Sequence, residues 1–326
     1  MLAAVQTAYG APDVVTIKDI PKPVPGNGEV LVRVVATTVT SGDARLRAFR
    51  VPASLWLPAR LFMGITKPRR TVLGSEFSGV IEALGSNVTR FSVGDRVFGM
   101  HVYDAHAEYK AVPETAAIAH LPERMDFAGA AALPFGALTA LHFLRRAKIV
   151  SGQSVLVNGA SGAVGVFAVQ LAKHFGANVT GVCSARNAEL VRNLGADHVI
   201  DYQQTDFSRT GERYDLIVDT VGTVSLDQFK RTTLATGQLL AVNAGGGMML
   251  RALMPMLGGR RIIVGVATER LEDLQYVRDL ASAGVLRPTI DSRVPLADIA
   301  RAHAIVDSGH KRGAVVVGIT TAPSIS

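Results

Sequence analysis

The chain has 326 residues, a length that suggests about two domains. Hydrophobic residues make up 48% and charged residues 19%, so a core can form without staples and intrinsic disorder is excluded. The single cysteine, Cys183, rules out an intrachain disulfide and a four-cysteine zinc site, while a net charge of +7 leaves open an anionic ligand, nucleic acid or plain solubility.

Residues 1–10 lack the basic stretch and apolar run of a secretory signal, so the expected compartment is the cytoplasm. The first third reads as strands and turns. Val30, Val32 and Val34 alternate with Leu31, Arg33 and Val35, and further short strands are predicted over 79–84, 95–98 and 108–112. Pro21, Pro23 and Pro25 mark an extended loop. Residues 45–70 hold the only tryptophan, Trp56, three prolines and many arginines, and predict a mobile, partly helical insertion over a site. An Arg-rich solvated face over a local core is the competing reading.

The period changes in the middle of the chain. Residues 126–148 read as Ala-rich helix interrupted by Pro134. No residue between Lys148 and Lys173 is charged, but Gly152, Gly159, Gly162 and Gly165 break the run, which reads as strand, turn and helix and not as a membrane span. In the predicted helix, Val164, Phe167, Ala168, Leu171, Ala172 and Phe175 share one face before Gly176. Strands over 178–182, 199–202, 216–219, 239–243 and 262–266 then alternate with helices, the signature of a parallel sheet covered on both faces. A helix over 271–283 and short units over 287–318 complete the chain.

The strongest motif is Val155-Leu-Val-Asn-Gly-Ala-Ser-Gly-Ala-Val-Gly165, in which a strand enters a glycine turn and a helix leaves it. Gly159 makes the tight turn, Gly162 lets backbone N–H groups approach a pyrophosphate, and Gly165 permits close packing. Ser161, Ala163 and Val164 complete the turn at the positive end of the helix dipole. A cofactor with a free ribose 2′-hydroxyl usually meets Asp or Glu about 20 residues on. Here the chain reads Gly181-Val-Cys-Ser-Ala-Arg186 without a carboxylate, and Ser184 and Arg186 suit a 2′-phosphate instead, which favours NADPH. In the competing reading, Ser184 caps the next helix and Arg186 faces water.

The eight histidines and one cysteine form no Cys–His pair at ligand spacing, so no metal site is expected; no Gly-x-Ser-x-Gly elbow appears either. Hydride transfer without metal is the simplest chemistry left. Tyr103 and His106 follow Gly99 and are candidate proton donors, against the plainer reading of loop residues, and a proton from water is a further alternative. Arg45 could meet an anionic substrate, with Asp43 as a surface partner or a helix cap.

Jointly, Tyr9-Gly-Ala-Pro12, Thr37-Thr-Val-Thr-Ser-Gly-Asp43, Leu73-Gly-Ser-Glu-Phe-Ser-Gly79, Gly94-Asp-Arg-Val-Phe-Gly99, Ala132-Leu-Pro134 with Thr139-Ala140, the glycine turn, Leu194-Gly-Ala-Asp197 with Val199-Ile-Asp-Tyr202, and Gly309-His-Lys-Arg-Gly313 carry a resemblance. Over essentially its whole length the chain resembles the medium-chain dehydrogenase/reductase superfamily, in the zinc-free quinone oxidoreductase branch that includes zeta-crystallin. The resemblance implies an α/β fold. A Rossmann doubly wound parallel sheet (122–284) would accompany a GroES-like β-rich domain built from both chain ends (1–121 with 285–326), with the site in the cleft. Zinc-dependent relatives carry Cys near position 41 and Gly-His-Glu near 74–76, where this chain has Ser41 and Gly74-Ser75-Glu76. The resemblance further implies that Tyr202, with Ser184 and Arg186, lines the 2′-phosphate pocket. It implies that Thr139, the segment containing Asn243, Ala244 and Gly245, and the segment from Val264 to Val266 border the nicotinamide. Quinone oxidoreductases often carry Asn at the position of Thr40, near the nicotinamide ribose and substrate; Thr has a shorter reach and no amide, which bears on substrate type more than on cofactor.

The function these features predict is NADPH-dependent reduction of a quinone or an α,β-unsaturated carbonyl. The alternatives are a zinc-free alcohol dehydrogenase, a biosynthetic enoyl reductase, or a dinucleotide-fold protein that binds RNA or is structural. The basic residues are dispersed apart from Lys67-Pro-Arg-Arg70, Arg145-Arg146 and Arg260-Arg261, so no nucleic-acid partner is expected. The resemblance suggests a homodimer.

Overall fold

The computed structural model describes residues 1–51, 56–252 and 259–320. Strands dominate the beginning: β1 (Leu2–Gln6), β2 (Val15–Asp19) and β3 (Glu29–Val39) precede the helices α1 (Ser41–Ala48) and α2 (Trp56–Met63). Four strands follow, β4 (Glu76–Leu84), β5 (Arg96–Met100), β6 (Tyr109–Pro113) and β7 (Ala117–His120), then the helices α3 (Phe127–Ala131) and α4 (Pro134–Ala147). Alternation then sets in with β8 (Ser154–Asn158), α5 (Gly165–His174), β9 (Asn178–Cys183), α6 (Ala188–Asn193), β10 (His198–Asp201) and β11 (Tyr214–Asp219). It continues through α7 (Leu226–Thr232), β12 (Thr233–Ala241), α8 (Gly246–Ala252) and β13 (Arg261–Ile263). The chain closes with α9 (Leu271–Ser282), β14 (Ile290–Pro295), α10 (Ile299–Asp307) and β15 (Ala314–Gly318).

Two compact units result: Met1–Phe135 with Glu269–Gly284 and Pro288–Ser326, and Gly136–Thr268 with Val285–Arg287. Contacts therefore group α3 and α9 with the first unit, where the sequence reading places 122–135 and 269–284 in the middle domain. The reason is local: α9 packs on β7, and α3 lies against β3 and β4.

The first unit is β-rich and draws on both chain ends, as the GroES-like expectation requires. Its large sheet runs β14-β15-β3-β4-β5-β7, with β6 also paired to β3. Val30, Val32 and Val34 pack with Phe77, Ile81 and Val97 in one core cluster. Leu31 and Val35 are buried too, so β3 is covered on both faces and its simple alternation understates its burial.

The second unit is a six-stranded parallel sheet in the order β10-β9-β8-β11-β12-β13. The order reverses beside β8, and ligands of such sheets bind at the carboxyl ends of the strands flanking that reversal. Every residue of α5 from Gly165 to Ala172 is buried, so this helix is enclosed beyond the one face expected of it. The uncharged run between Lys148 and Lys173 is thus β8, a turn and α5, and no described helix is long and apolar enough to cross a membrane.

Two predicted strands end early. Only residues 261–263 pair with β12, because Gly265 takes a φ of +150° and turns the chain out. Likewise β12 stops at Ala241, which leaves Asn243 in a loop.

Candidate functional site

The carboxyl edge of the second unit gathers most of the residues singled out by sequence. At its centre is the turn between β8 and α5. Gly159 has a φ of +81°, and a Cβ there would lie 2.5 Å from Thr220 Oγ1 and 2.6 Å from Val221 Cγ2. Its N–H and that of Ala160 both donate to Val182 O on β9, at 3.1 and 3.0 Å. A Cβ on Gly165 would stand 2.0 Å from Gly159 O, so this glycine packs the helix start onto its own turn. Gly162 differs: a Cβ would meet only Gly159 O, at 3.4 Å. Ser161, Gly162 and Ala163 stay partly exposed at the tip, and buried Val164 leads into α5. The turn thus shows small, accessible backbone at the amino end of a helix, a geometry that fits a diphosphate.

The end of β9 offers the second test. Ser184 occupies the capping position before a short 3₁₀ turn, yet its side chain makes no capping hydrogen bond. The plain helix-cap reading therefore lacks its defining contact. Arg186 and Tyr202 are exposed beside it. The carboxylate at the end of the neighbouring β10, Asp201, accepts from Gln203 N–H at 3.1 Å and caps its own turn. Cys183 is buried, and burial pushes its thiol up to about 11, which makes it a packing residue and a poor nucleophile.

Four residues that carry this edge were not singled out by sequence. Asn187 is buried and donates from Nδ2 to Ser161 Oγ at 3.0 Å, tying the loop after β9 to the glycine turn, while its Oδ1 has no hydrogen-bond partner. Asn158 donates to Asp219 Oδ1 at 2.9 Å, joining β8 to β11. Asp219 also accepts from the N–H groups of Val221, Gly222 and Val224 at 2.9–3.2 Å, and Thr220 Oγ1 donates to Asn158 O at 2.8 Å. For Asn158 and Asp219 the only sequence signal is a polar residue closing an apolar strand.

Further along the edge, Asn243 Nδ2 donates to Val221 O at 2.8 Å, and Ala244 and Gly245 continue that loop. Val264 O accepts from Arg146 at 2.8 Å, Val266 is 85% exposed, and Thr139 on α4 is buried.

The first unit holds Thr40, the weakest of the catalytic candidates, together with Tyr103 and His106, and their placement separates them. Thr40 is the N-cap of α1: its hydroxyl donates to Asp43 Oδ2 at 2.7 Å and accepts from Asp43 N–H at 3.1 Å. Both groups of this capping box are buried, so Thr40 is spent on the helix. Asp43 is the third residue of that box and also accepts from Gly74 N–H at 3.1 Å; it is not the surface partner of Arg45. His106 is fully buried, with Nε2 2.9 Å from Thr38 O and Nδ1 without a partner. Burial lowers its pKa and holds the ring neutral, so His106 is corrected from a loop proton donor to a core residue.

Tyr103 is the candidate left in an open position. It lines a pocket of about 350 Å³ whose apolar wall includes Leu46, Phe62, Met63 and Leu73. Arg69, Arg70 and His101 share the lining. The segment over 45–70 therefore does border a pocket; residues 52–55 of it lie outside the described residues. Burial raises the Tyr103 pKa, so its hydroxyl holds a proton at neutral pH.

The same unit buries two ionisable side chains to which the sequence assigned no role in proton transfer. Glu76 is fully buried, and burial pushes its pKa up to about 8 despite hydrogen bonds from Thr38 and from Phe135 N–H. Lys110, also buried, donates to His101 O and Tyr103 O, and burial brings its pKa down to about 8. Ser41 opens α1 and Ser75 O accepts from His101 N–H, and among the described residues no group of three His, Cys, Asp or Glu could hold a metal ion.

This chain matches the alcohol dehydrogenase GroES-like domain family over residues 26–153 and the zinc-binding dehydrogenase family over residues 194–317. A quinone oxidoreductase of Pseudomonas aeruginosa is 31% identical to it over 95% of this chain and 97% of its own length. The chain belongs to the quinone oxidoreductase branch of the medium-chain dehydrogenase/reductase superfamily. Another superfamily relative, an NADPH-dependent alkenal/one oxidoreductase of Arabidopsis thaliana, is 31% identical, covering 97% of this chain and 79% of its own length. Among solved structures, the quinone oxidoreductase from Coxiella burnetii aligns with a TM-score of 0.86 at 29% identity, over 98% of this chain and 99% of its own. Membership in the superfamily makes this an oxidoreductase with a Rossmann-like sheet and a GroES-like unit.

Proposed function

We propose that the chain is an NADPH-dependent reductase of quinones or α,β-unsaturated carbonyl compounds that works without a metal. The observation that carries the reading is the carboxyl edge of the parallel sheet: an accessible glycine turn, and beside it Ser184 and Arg186 where a carboxylate would select a free ribose hydroxyl. The quinone and alkenal/one names of the relatives support the substrate class.

When bound, the nicotinamide cofactor supplies a hydride. The residues of this chain then bind and orient. Backbone N–H groups around Ser161, Gly162 and Ala163, with the amino end of α5, take the diphosphate. Arg186 offers a planar, permanently charged fork to a 2′-phosphate, with Ser184 and Tyr202 adding hydroxyls. Thr139, Asn243, Ala244, Gly245, Val264 and Val266 are assigned to the nicotinamide side. Quinone reduction takes its protons from solvent. For an enone, Tyr103 Oη holds a proton at neutral pH and is the donor we retain.

Calorimetric titration with NADPH and NADH tests this. Arg186 should make NADPH the tighter ligand by on the order of tenfold or more. Equal affinities, or tighter NADH, would overturn the cofactor assignment.

A further inference from the structure

The pocket in the first unit has more character than a generic apolar cleft. Two adjacent guanidinium groups, Arg69 and Arg70, share its lining with Tyr103, opposite the apolar wall of Leu46, Phe62 and Met63. One carboxylate opposes them: Asp104 also lines the pocket, but its closest approach to Arg70 is 3.9 Å between exposed side chains, too long for a hydrogen-bonded pair. The balance of charge on the lining is positive. A pocket of about 350 Å³ is at the small end for organic ligands.

The wall bearing Tyr103 is held in a costly shape. Tyr103 and Asp104 take consecutive left-handed conformations, with φ of +64° and +65°, a region that non-glycine residues seldom occupy. Lys110 enforces it from beneath. Its buried ammonium donates to His101 O at 3.1 Å and to Tyr103 O, inside the same loop. Burying a lysine is unfavourable unless its hydrogen bonds are made, and here they are spent on the backbone of a strained pocket wall. Strain held by surrounding structure marks a surface shaped for binding. The opposite wall is braced as well: Tyr9 Oη lies within hydrogen-bonding distance of Met63 O and Gly64 O, at 3.0 and 3.2 Å, and Arg60 stacks over the Tyr9 and Phe49 rings.

We propose that this pocket receives the substrate, and that the preferred substrate is an unsaturated carbonyl compound bearing a carboxylate. Arg69 and Arg70 meet the carboxylate, and the Leu46–Phe62–Met63 wall covers the apolar body. Lys110 is a positioning residue that fixes the Tyr103 loop. This inference rests on the reductase reading above.

The test compares (E)-4-oxopent-2-enoic acid with its methyl ester as substrates, using NADPH consumption, in the intact protein and in Arg69→Gln/Arg70→Gln. The intact protein should favour the acid in kcat/KM by about tenfold, the scale of a charge-assisted pair, and the double variant should lose that preference through KM. Asp104→Asn should shift the preference further toward the acid. Equal use of acid and ester by the intact protein, or a preference that survives the double substitution, would overturn the inference while leaving the reductase reading intact. If neither compound is reduced while a quinone is, the unsaturated-carbonyl half of the reductase reading fails; if the quinone is not reduced either, the whole reading fails. Calorimetry with the acid and the ester then decides the pocket on its own: binding of the acid that depends on the arginines upholds it, and binding of neither sinks it. Thermal melts of each variant confirm that it is folded.

Discussion

Glu76 shows how much a single buried side chain can tell. Its carboxyl accepts from Thr38 and Phe135 and has no solvent around it, so burial holds the proton on up to about pH 8. The unfolded chain releases that proton near pH 4.5. Between those values the native state binds more protons, so this group's contribution to stability falls as pH rises. Glu76→Gln keeps a neutral side chain of the same size. The melting temperature of the variant relative to the parent should therefore rise from pH 5 to pH 8, and a pH-independent difference would show that Glu76 is ionised in the fold. Arg186 is a second residue with a clear outcome. In Arg186→Gln, NADPH affinity should fall by about tenfold while NADH affinity barely moves, read by calorimetry. The proposal for Arg186 starts from the sequence, where it stands at a position that usually carries a carboxylate. The burial of Glu76 was not legible, since nothing in Leu73-Gly-Ser-Glu-Phe-Ser-Gly says that Thr38 and Phe135 close over it.

At the level of elements, the turn between β8 and α5 divides its glycines by task. Gly159→Ala would force a left-handed backbone and press a methyl on Thr220 and Val221, costing about 1–2 kcal/mol from the conformation alone. Gly162→Ala meets only one atom, at 3.4 Å, so its melting temperature should stay close to that of the parent. Its methyl would instead crowd the diphosphate, and NADPH affinity should fall by on the order of tenfold. A large loss of stability in Gly162→Ala, with unchanged affinity, would misplace the cofactor. In the other unit, Lys110→Met removes the donor to His101 O and Tyr103 O, a loss of about 1–3 kcal/mol visible in denaturant unfolding. The strand–helix alternation and the glycine turn were legible because their spacing is local. The helix cap at Asp43 was read from sequence, while Thr40 as the other half of that box was not. His106 was misread because its state depends on distant partners: it becomes core only when Thr38 and His303 pack around it.

Across the whole molecule, the first unit gathers strands from residues 2–120 with β14 and β15, while the middle of the chain builds a continuous parallel sheet. Such a return of the chain end leaves no trace in local periodicity, and only the family resemblance anticipated it. The grouping of α3 and α9 with the first unit is likewise a matter of packing. The most direct test of the central claim is one steady-state assay. Protein dialysed exhaustively against a chelator is given a quinone with NADPH or NADH, and nicotinamide oxidation is followed by absorbance. Sustained turnover, with NADPH preferred by about tenfold or more in kcat/KM, is the result predicted from Arg186 and from the side chains at Ser41 and Ser75. Activity that disappears on chelation and returns with zinc, or that runs better on NADH, would contradict it.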